Sequence, residues 1–211
     1  MVVQELLVQQ HLIRHNANYA YSPLTALGLA SSLDQILGGL PAGDGDAVFT
    51  AFIEALGEDP ARYRADAAAL EAWAKGAGAA GRATAPGAGA DALADLKARA
   101  EASTLHYNRF QAVGLFRLLE AAGASDPQAL GALAASGGLP LPAVSRDLQT
   151  YKAVLSKLGA AKELMRELLE RERKKAAERA AEKAAKAASS AASSDSDAES
   201  VTAPRIGEAP A

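Results

Sequence analysis

One motif occurs twice in this chain and constrains its fold more than any other feature. Residues 21–34 and 107–120 both fit the pattern Tyr-x-x-apolar-x-Ala-apolar-Gly-Leu-x-x-x-Leu-acid, with an offset of 107 − 21 = 86 positions. Each copy predicts a helix with a glycine at its middle. Because a mid-helix glycine costs about 1 kcal/mol relative to alanine, its recurrence predicts two helices that cross in backbone contact. This predicted helix-packing motif comprises Tyr21, Gly28, Tyr107 and Gly114.

Helical signals continue through most of the chain. Ser22 and Asp126 each precede a proline, which is the pattern of an N-cap followed by the first helical residue. Asp44 or Asp46 is expected to cap a third helix in the same way. The sequence therefore predicts an all-α fold. The predicted helices cover residues 2–15, 23–37, 46–56, 60–75, 90–102, 108–122, 127–136 and 142–188.

The sequence divides into a helical body, a charged extension and a tail. The body is expected at residues 1–170, with a flexible Gly/Ala-rich loop at 76–89. A long C-terminal helix carries a coiled-coil-like seam that ends at Leu169. Residues 171–188 contain chiefly Arg, Lys, Glu and Ala and predict a solvated helical extension. The Ser/Ala/acidic residues 189–211 predict a disordered tail.

The amino-acid composition excludes several kinds of functional site. The 211 residues include no cysteine, which excludes disulfides, cysteine-ligated zinc and a cysteine nucleophile. A net charge of −3 gives no indication of nucleic-acid binding. No apolar run approaches the roughly 20 residues of a membrane span. The chain begins inside an amphipathic helix with no visible targeting segment, so an N-terminal truncation is expected.

Candidate catalytic and metal-binding residues are few. His11 and His15 are four residues apart on one helix, a spacing that can bind a metal, and His106 would be a third ligand only if the fold brought it close. The residues between His11 and His15 lack the glutamate of a zinc-protease helix. The glycines of the 76–89 loop follow no strand and precede no Lys-Ser/Thr pair, so they do not predict a phosphate site. No catalytic residue, metal site or cofactor is expected.

The basic run at residues 171–175 is the most prominent charged segment. Glutamates interleave with its basic residues, which is typical of a solvated helix. Nucleic-acid binding is disfavoured because no aromatic residues accompany the positive charge. Attraction to an anionic membrane surface is weakened by the same glutamates, and the segment has no apolar face to insert.

Five blocks of this sequence, taken in order, resemble the thylakoid formation protein family. The blocks are residues 2–12, 21–34, 55–66, 107–120 and 147–165. Each block alone is a helix pattern, and their order makes the resemblance specific. It extends over most of residues 2–175 outside the Gly/Ala loop.

The resemblance implies an all-helical, non-catalytic factor of chloroplasts or cyanobacteria, in the stroma or associated with the thylakoid. It also implies a role in thylakoid biogenesis and in the assembly and repair of photosystem II. The partners it implies are the membrane-bound FtsH protease, photosystem II components and, peripherally, the thylakoid membrane. For a chloroplast member, we expect the transit peptide to be absent from this sequence.

Three functional hypotheses follow. The first is an interaction protein that docks its partner through the end of the seam and the charged extension; the predicted docking residues are Leu164, Leu168, Leu169, Arg171, Arg173, Lys174 and Lys175. The second is a lipid- or pigment-binding protein of plastid vesicle or membrane traffic, with an apolar cavity between the Gly28 and Gly114 helices. The third is a hydrolase or metal enzyme that uses the histidines.

Overall fold

The protein is all-α, as predicted. The computed structural model describes residues 2–41, 43–81, 86–124 and 126–196, and within them it contains eight helices and no strand. The helices are α1 (Val2–Arg14), α2 (Pro23–Leu37), α3 (Asp44–Ala55), α4 (Pro60–Gly81), α5 (Ala88–Glu101), α6 (Arg109–Ala121), α7 (Pro127–Ser136) and α8 (Leu141–Ser196).

Helix α2 lies at the centre of the fold. It packs against α6 and α4 most extensively, and also against α3 and α5. Every residue from Leu24 to Leu33 is buried, including three hydroxyl residues, so α2 has no solvent-facing side over this stretch. A helix that is apolar or small on all sides is typical of a central core position.

The structure agrees with only some of the predicted N-cap residues. Asp126 accepts a hydrogen bond from the backbone N–H of Ala129 at 2.7 Å, which caps α7 as predicted. Ser22 occupies the N-cap position of α2, but its side chain makes no capping hydrogen bond. The predicted aspartate cap of α3 is wrong: Gly43 is the N-cap, and both aspartates lie in the first turn, where they complement the helix dipole.

The predicted loop at 76–89 is mostly helical in the structure. Helix α4 continues to Gly81 and α5 begins at Ala88, which leaves 82–87 between them; residues 82–85 lie outside the described residues. The single tryptophan, Trp73, accounts for Gly89 in the first turn of α5. A Cβ on Gly89 would lie 2.1 Å from the indole ring, so this close contact requires glycine.

Two compact units divide the chain, Met1–Leu158 and Gly159–Ala211, so the first ends earlier than the predicted body. The first unit contains the hydrophobic core, to which the beginning of α8 contributes Val144 and Leu148. In the second unit all side chains described, 159–185, are exposed. The helical backbone extends to Ser196, beyond the predicted end at 188, and the rest of the predicted tail, 197–211, lies outside the described residues.

Candidate functional site

The two motif glycines lie where α2 and α6 cross. A Cβ on Gly28 would be 1.9 Å from the carbonyl oxygen of Phe110, and a Cβ on Gly114 would be 2.3 Å from that of Leu24. Both contacts are with backbone atoms, which cannot move aside as a flexible side chain can. At the crossing point itself, the two helices therefore leave no room for a ligand between Gly28 and Gly114.

The two motif tyrosines hold equivalent positions beside these helices. Tyr21 donates a hydrogen bond to Asp66 Oδ2 at 2.5 Å, and Tyr107 donates one to Asp147 Oδ2 at 2.7 Å. Burial and the hydrogen-bonded carboxylate raise the pKa of each of these tyrosines well above the ordinary value. Each pair thus ties the entry of a glycine-containing helix to a further helix, α4 in the first case and α8 in the second.

Sequence reasoning missed both aspartates, although a signal was present. Asp66 is the seventh residue of α4 and Asp147 is the seventh residue of α8, so the internal repeat extends beyond the recognised motif. Their separation is 147 − 66 = 81 positions, five fewer than the motif offset of 86. A search at one fixed offset therefore does not align them.

An apolar cleft of about 400 Å³ opens in the first unit, between α1, α2, α6 and α8. Ligand pockets typically have volumes of about 300–1,000 Å³ and predominantly apolar walls. The apolar lining residues are Leu6, Ile36, Phe110, Val113, Val154, Leu155 and Leu158. Charged and hydroxyl groups, among them Arg109, Asp147 and Thr150, also line it. The cleft can accept an apolar chain. No local sequence pattern predicts it, because its walls come from four helices.

The predicted docking residues lie in the second unit. Leu164, Leu168 and Leu169 are 61%, 49% and 55% exposed, and Met165 beside them is 59% exposed. Ion pairs flank these apolar side chains: Arg166 with Glu163 and Arg171 with Glu167. The basic residues Arg173, Lys174 and Lys175 follow on the same exposed helix. We call Leu164, Met165, Leu168 and Leu169 the exposed leucine patch.

The structure does not bring the three histidines together. His11 and His15 contact each other on the exposed side of α1, whereas His106 is half-buried in the segment before α6. Within the described ranges no group of three or more His, Cys, Asp or Glu residues is placed to hold a metal ion. In the same part of the chain no helix is long and apolar enough to cross a membrane.

Comparisons with a family model and with individual known proteins indicate the same family. The sequence model of the family described as "Thylakoid formation protein" matches residues 1–180. Protein THYLAKOID FORMATION 1, chloroplastic, of Arabidopsis thaliana is 47% identical over 178 residues, which cover 82% of this chain and 59% of the relative. Protein Thf1 of Nostoc punctiforme is 35% identical over 190 residues, covering 82% of this chain and 80% of the relative.

A solved structure of Psb29 has a similar fold. It superposes with a TM-score of 0.65 at 32% sequence identity, and the match covers 83% of this chain and 87% of that one. The chain spans about three fifths of the length of the plant relatives and about four fifths of the cyanobacterial ones. The match over residues 1–180 and the identity to both groups of relatives show that this chain belongs to the thylakoid formation protein family.

Proposed function

We propose that this protein is a non-catalytic factor in thylakoid biogenesis and in the assembly and repair of photosystem II. It acts in the chloroplast by binding other proteins, either in the stroma or in association with the thylakoid. Family membership supports the thylakoid role, since the plant relatives carry the name thylakoid formation and the description chloroplastic. The observation that carries the mode of action is the exposed leucine patch.

The exposed leucine patch has the spacing of a helix that docks into a groove. Leu164 and Leu168 are four residues apart, and Met165 and Leu169 repeat that spacing one position later. Partner grooves recognise helices through apolar anchors at such i, i+3, i+4 positions. Four large apolar side chains at about half exposure or more keep apolar surface in contact with water, which is unfavourable. Covering them with another apolar surface lowers the free energy, which favours a protein partner.

The flanking charges support a partner with its own charged rim. The patch is followed by Arg171, Arg173, Lys174 and Lys175, all of them exposed. Charges at the edge of an interface steer association and select partners more than they add affinity. We propose the thylakoid FtsH protease as the partner and photosystem II subunits as the alternative, which are the partners that the family resemblance implies.

Affinity capture from solubilised thylakoids tests the proposal. The full chain would be compared with Leu164→Gln/Leu168→Gln/Leu169→Gln, which keeps helix propensity and removes the apolar anchors. A matched control is Leu40→Gln, because Leu40 is also exposed, at 47%, but lies outside the patch. We expect mass spectrometry to find FtsH or photosystem II subunits enriched by the full chain and the control, and lost with the triple variant.

Two further results would decide between binding and folding effects. The triple variant should melt like the parent protein, because the patch residues are exposed and lie outside the hydrophobic core. Equal capture of FtsH and photosystem II subunits by the parent and the triple variant would refute the docking role of the patch. Capture of neither protein by any version would refute both named partners.

A second candidate function is the binding of a single-chain fatty acid in the apolar cleft. The carrying observation is the apolar wall itself; Arg109 lines the cleft together with the carboxylates of Glu5 and Asp147. Val154 lines the cleft and is 54% exposed, so Val154→Trp fills space there with little disturbance of the core. We expect oleate to raise the melting temperature of the parent and of Leu40→Trp but not of Val154→Trp. No shift for the parent would remove this candidate.

A further inference from the structure

An exposed pair of histidines at the end of α1 belongs neither to the core nor to the exposed leucine patch: His11 lies in the last turn of α1, and His15 directly follows its last residue. His11 and His15 are one helical turn apart, and their Nε2 atoms are 3.0 Å from each other. The two rings meet edge to face, with centroids 4.4 Å apart and an interplanar angle of 75°. The two Nε2 atoms therefore lie next to each other beside the helix.

The separation of the two nitrogens matches that of two ligands on one metal ion. Zinc–imidazole bonds are about 2.0–2.1 Å long, so two such nitrogens lie about 2.9 Å apart at a right angle and about 3.3 Å apart at the tetrahedral angle. The observed 3.0 Å falls between these values. One ion therefore fits the separation of the two nitrogens once the rings turn from their mutual hydrogen bond toward it.

We propose that His11 and His15 bind one divalent transition-metal ion through their two Nε2 atoms. Imidazole nitrogen suits copper, nickel and zinc, whereas magnesium and calcium prefer oxygen ligands. In the described part of the chain no third His, Cys, Asp or Glu joins the pair. The remaining coordination positions are therefore open to water or to a ligand from another molecule.

The surroundings leave this pair accessible. Val8 and Leu12, on the same side of α1, are 55% and 68% exposed, so no neighbouring element covers the histidines. The guanidinium of Arg14 lies between them in sequence but is paired with Glu58 at 3.0 Å, which neutralises its positive charge. Without a bound ion, one ring donates a hydrogen bond to the other. For metal binding, the donor ring changes to the other neutral tautomer, with its proton on Nδ1, so that both Nε2 atoms are free to coordinate. Two coordinate bonds then replace the single hydrogen bond.

Calorimetric titration of the untagged full chain tests the proposal, with Cu²⁺, Ni²⁺, Zn²⁺ and Mg²⁺ as separate probes. We expect binding in the order Cu²⁺ first, then Ni²⁺ and Zn²⁺, with none for Mg²⁺. His11→Ala and His15→Ala should each weaken binding at least tenfold. His106→Ala is the matched control and should leave the affinity unchanged, because His106 is outside the pair.

A register variant separates the geometry from the mere number of histidines. Leu12→His/His15→Leu keeps three histidines but places two of them at adjacent positions, which do not face each other on a helix. We expect it to bind as weakly as His15→Ala. In the parent, Zn²⁺ should shift the ring-nitrogen NMR signals of His11 and His15 and not that of His106.

The stoichiometry does not change the assignment. One ion per chain, or one ion shared by two chains, supports the site as long as both alanine variants abolish it. Absence of binding by the parent protein would overturn the proposal. Equal affinity in the register variant, or in His15→Ala, would also overturn it, since the 3.0 Å pair would then be unnecessary. Circular dichroism of each variant shows that α1 is still helical.

Discussion

Replacing Gly28 by alanine tests the idea that α2 and α6 are held in backbone contact. The added Cβ would lie 1.9 Å from Phe110 O, 2.8 Å from Phe110 C and 2.9 Å from Gly114 N. Ordinary van der Waals contact begins near 3.4 Å, so relief along the shortest of these contacts requires the backbones to separate by about 3.4 − 1.9 = 1.5 Å. No rotamer change can provide this, because all three atoms belong to the backbone.

The magnitude follows from two opposing terms. Alanine favours the helix over glycine by about 1 kcal/mol. Overpacking of a close-packed core costs about 1–3 kcal/mol, and a gap of even 0.5–1 Å forfeits about a quarter to a half of the contact energy along an interface. With the steric cost at the upper end, the net loss in the free energy of unfolding is about 2 kcal/mol. For a domain of this size that lowers the Tm by about 4–8 °C.

Thermal unfolding followed by circular dichroism measures this shift, and Gly76 supplies the control. Gly76 also lies within a helix, α4, but a Cβ there would meet nothing within 4 Å. We therefore expect Gly76→Ala to raise the Tm by up to about 4 °C, from helix propensity alone. Gly114→Ala should behave like Gly28→Ala. If Gly28→Ala were neutral or stabilising, as Gly76→Ala is expected to be, the inference of an obligatory backbone contact would be refuted.

Three further predictions concern the remainder of the first unit. Burial raises the pKa of all five tyrosines above 10.0, so above that pH the folded state keeps protons that the unfolded state loses. The free energy of unfolding should therefore fall as the pH rises above about 10. A free energy of unfolding that is independent of pH up to about 11 would contradict this. Asn108→Ala removes the acceptor for two backbone N–H groups at the start of α6 and should cost about 1–2 kcal/mol in denaturant unfolding, against less for the exposed Asn16→Ala. Gly89→Ala should displace Trp73, the single tryptophan, and change its fluorescence emission in the folded state; an unchanged spectrum would argue against their contact.

The helices could be predicted from the sequence because their signals are local. Apolar periodicity and the Ser22 and Asp126 starts place α2 and α7 within a few residues of their observed bounds. The length of α4 could not be predicted in this way. Its last residues are rich in glycine and alanine, a composition that predicts a loop. The first of these glycines, Gly76, faces open space, so its presence in the helix costs only the lower helix propensity of glycine, about 1 kcal/mol.

Contacts between residues far apart in the sequence could not be predicted from local sequence patterns. The capping box of α6 is local, since Asn108 and Gln111 are three residues apart, and the Asn-x-x-Gln pattern could have revealed it. The partners of Tyr21 and Tyr107 are 45 and 40 residues away, and nothing near either tyrosine specifies them. The cleft depends on four helices at once, so it required the structure.

Helix α8 shows why periodicity predicts where apolar side chains lie on a helix but not what covers them. Leu148 is 4% exposed in the first unit, while Leu164 and Leu168 are 61% and 49% exposed in the second, although all three are leucines on one continuous helix. Burial of a leucine stabilises a fold by about 1.5–3 kcal/mol, and an exposed leucine contributes almost none of this. The leucines of the second unit therefore contribute little to folding. Their apolar surface can lower the free energy only when another surface covers it, and this separates the proposed binding role of the patch from the stability of the core.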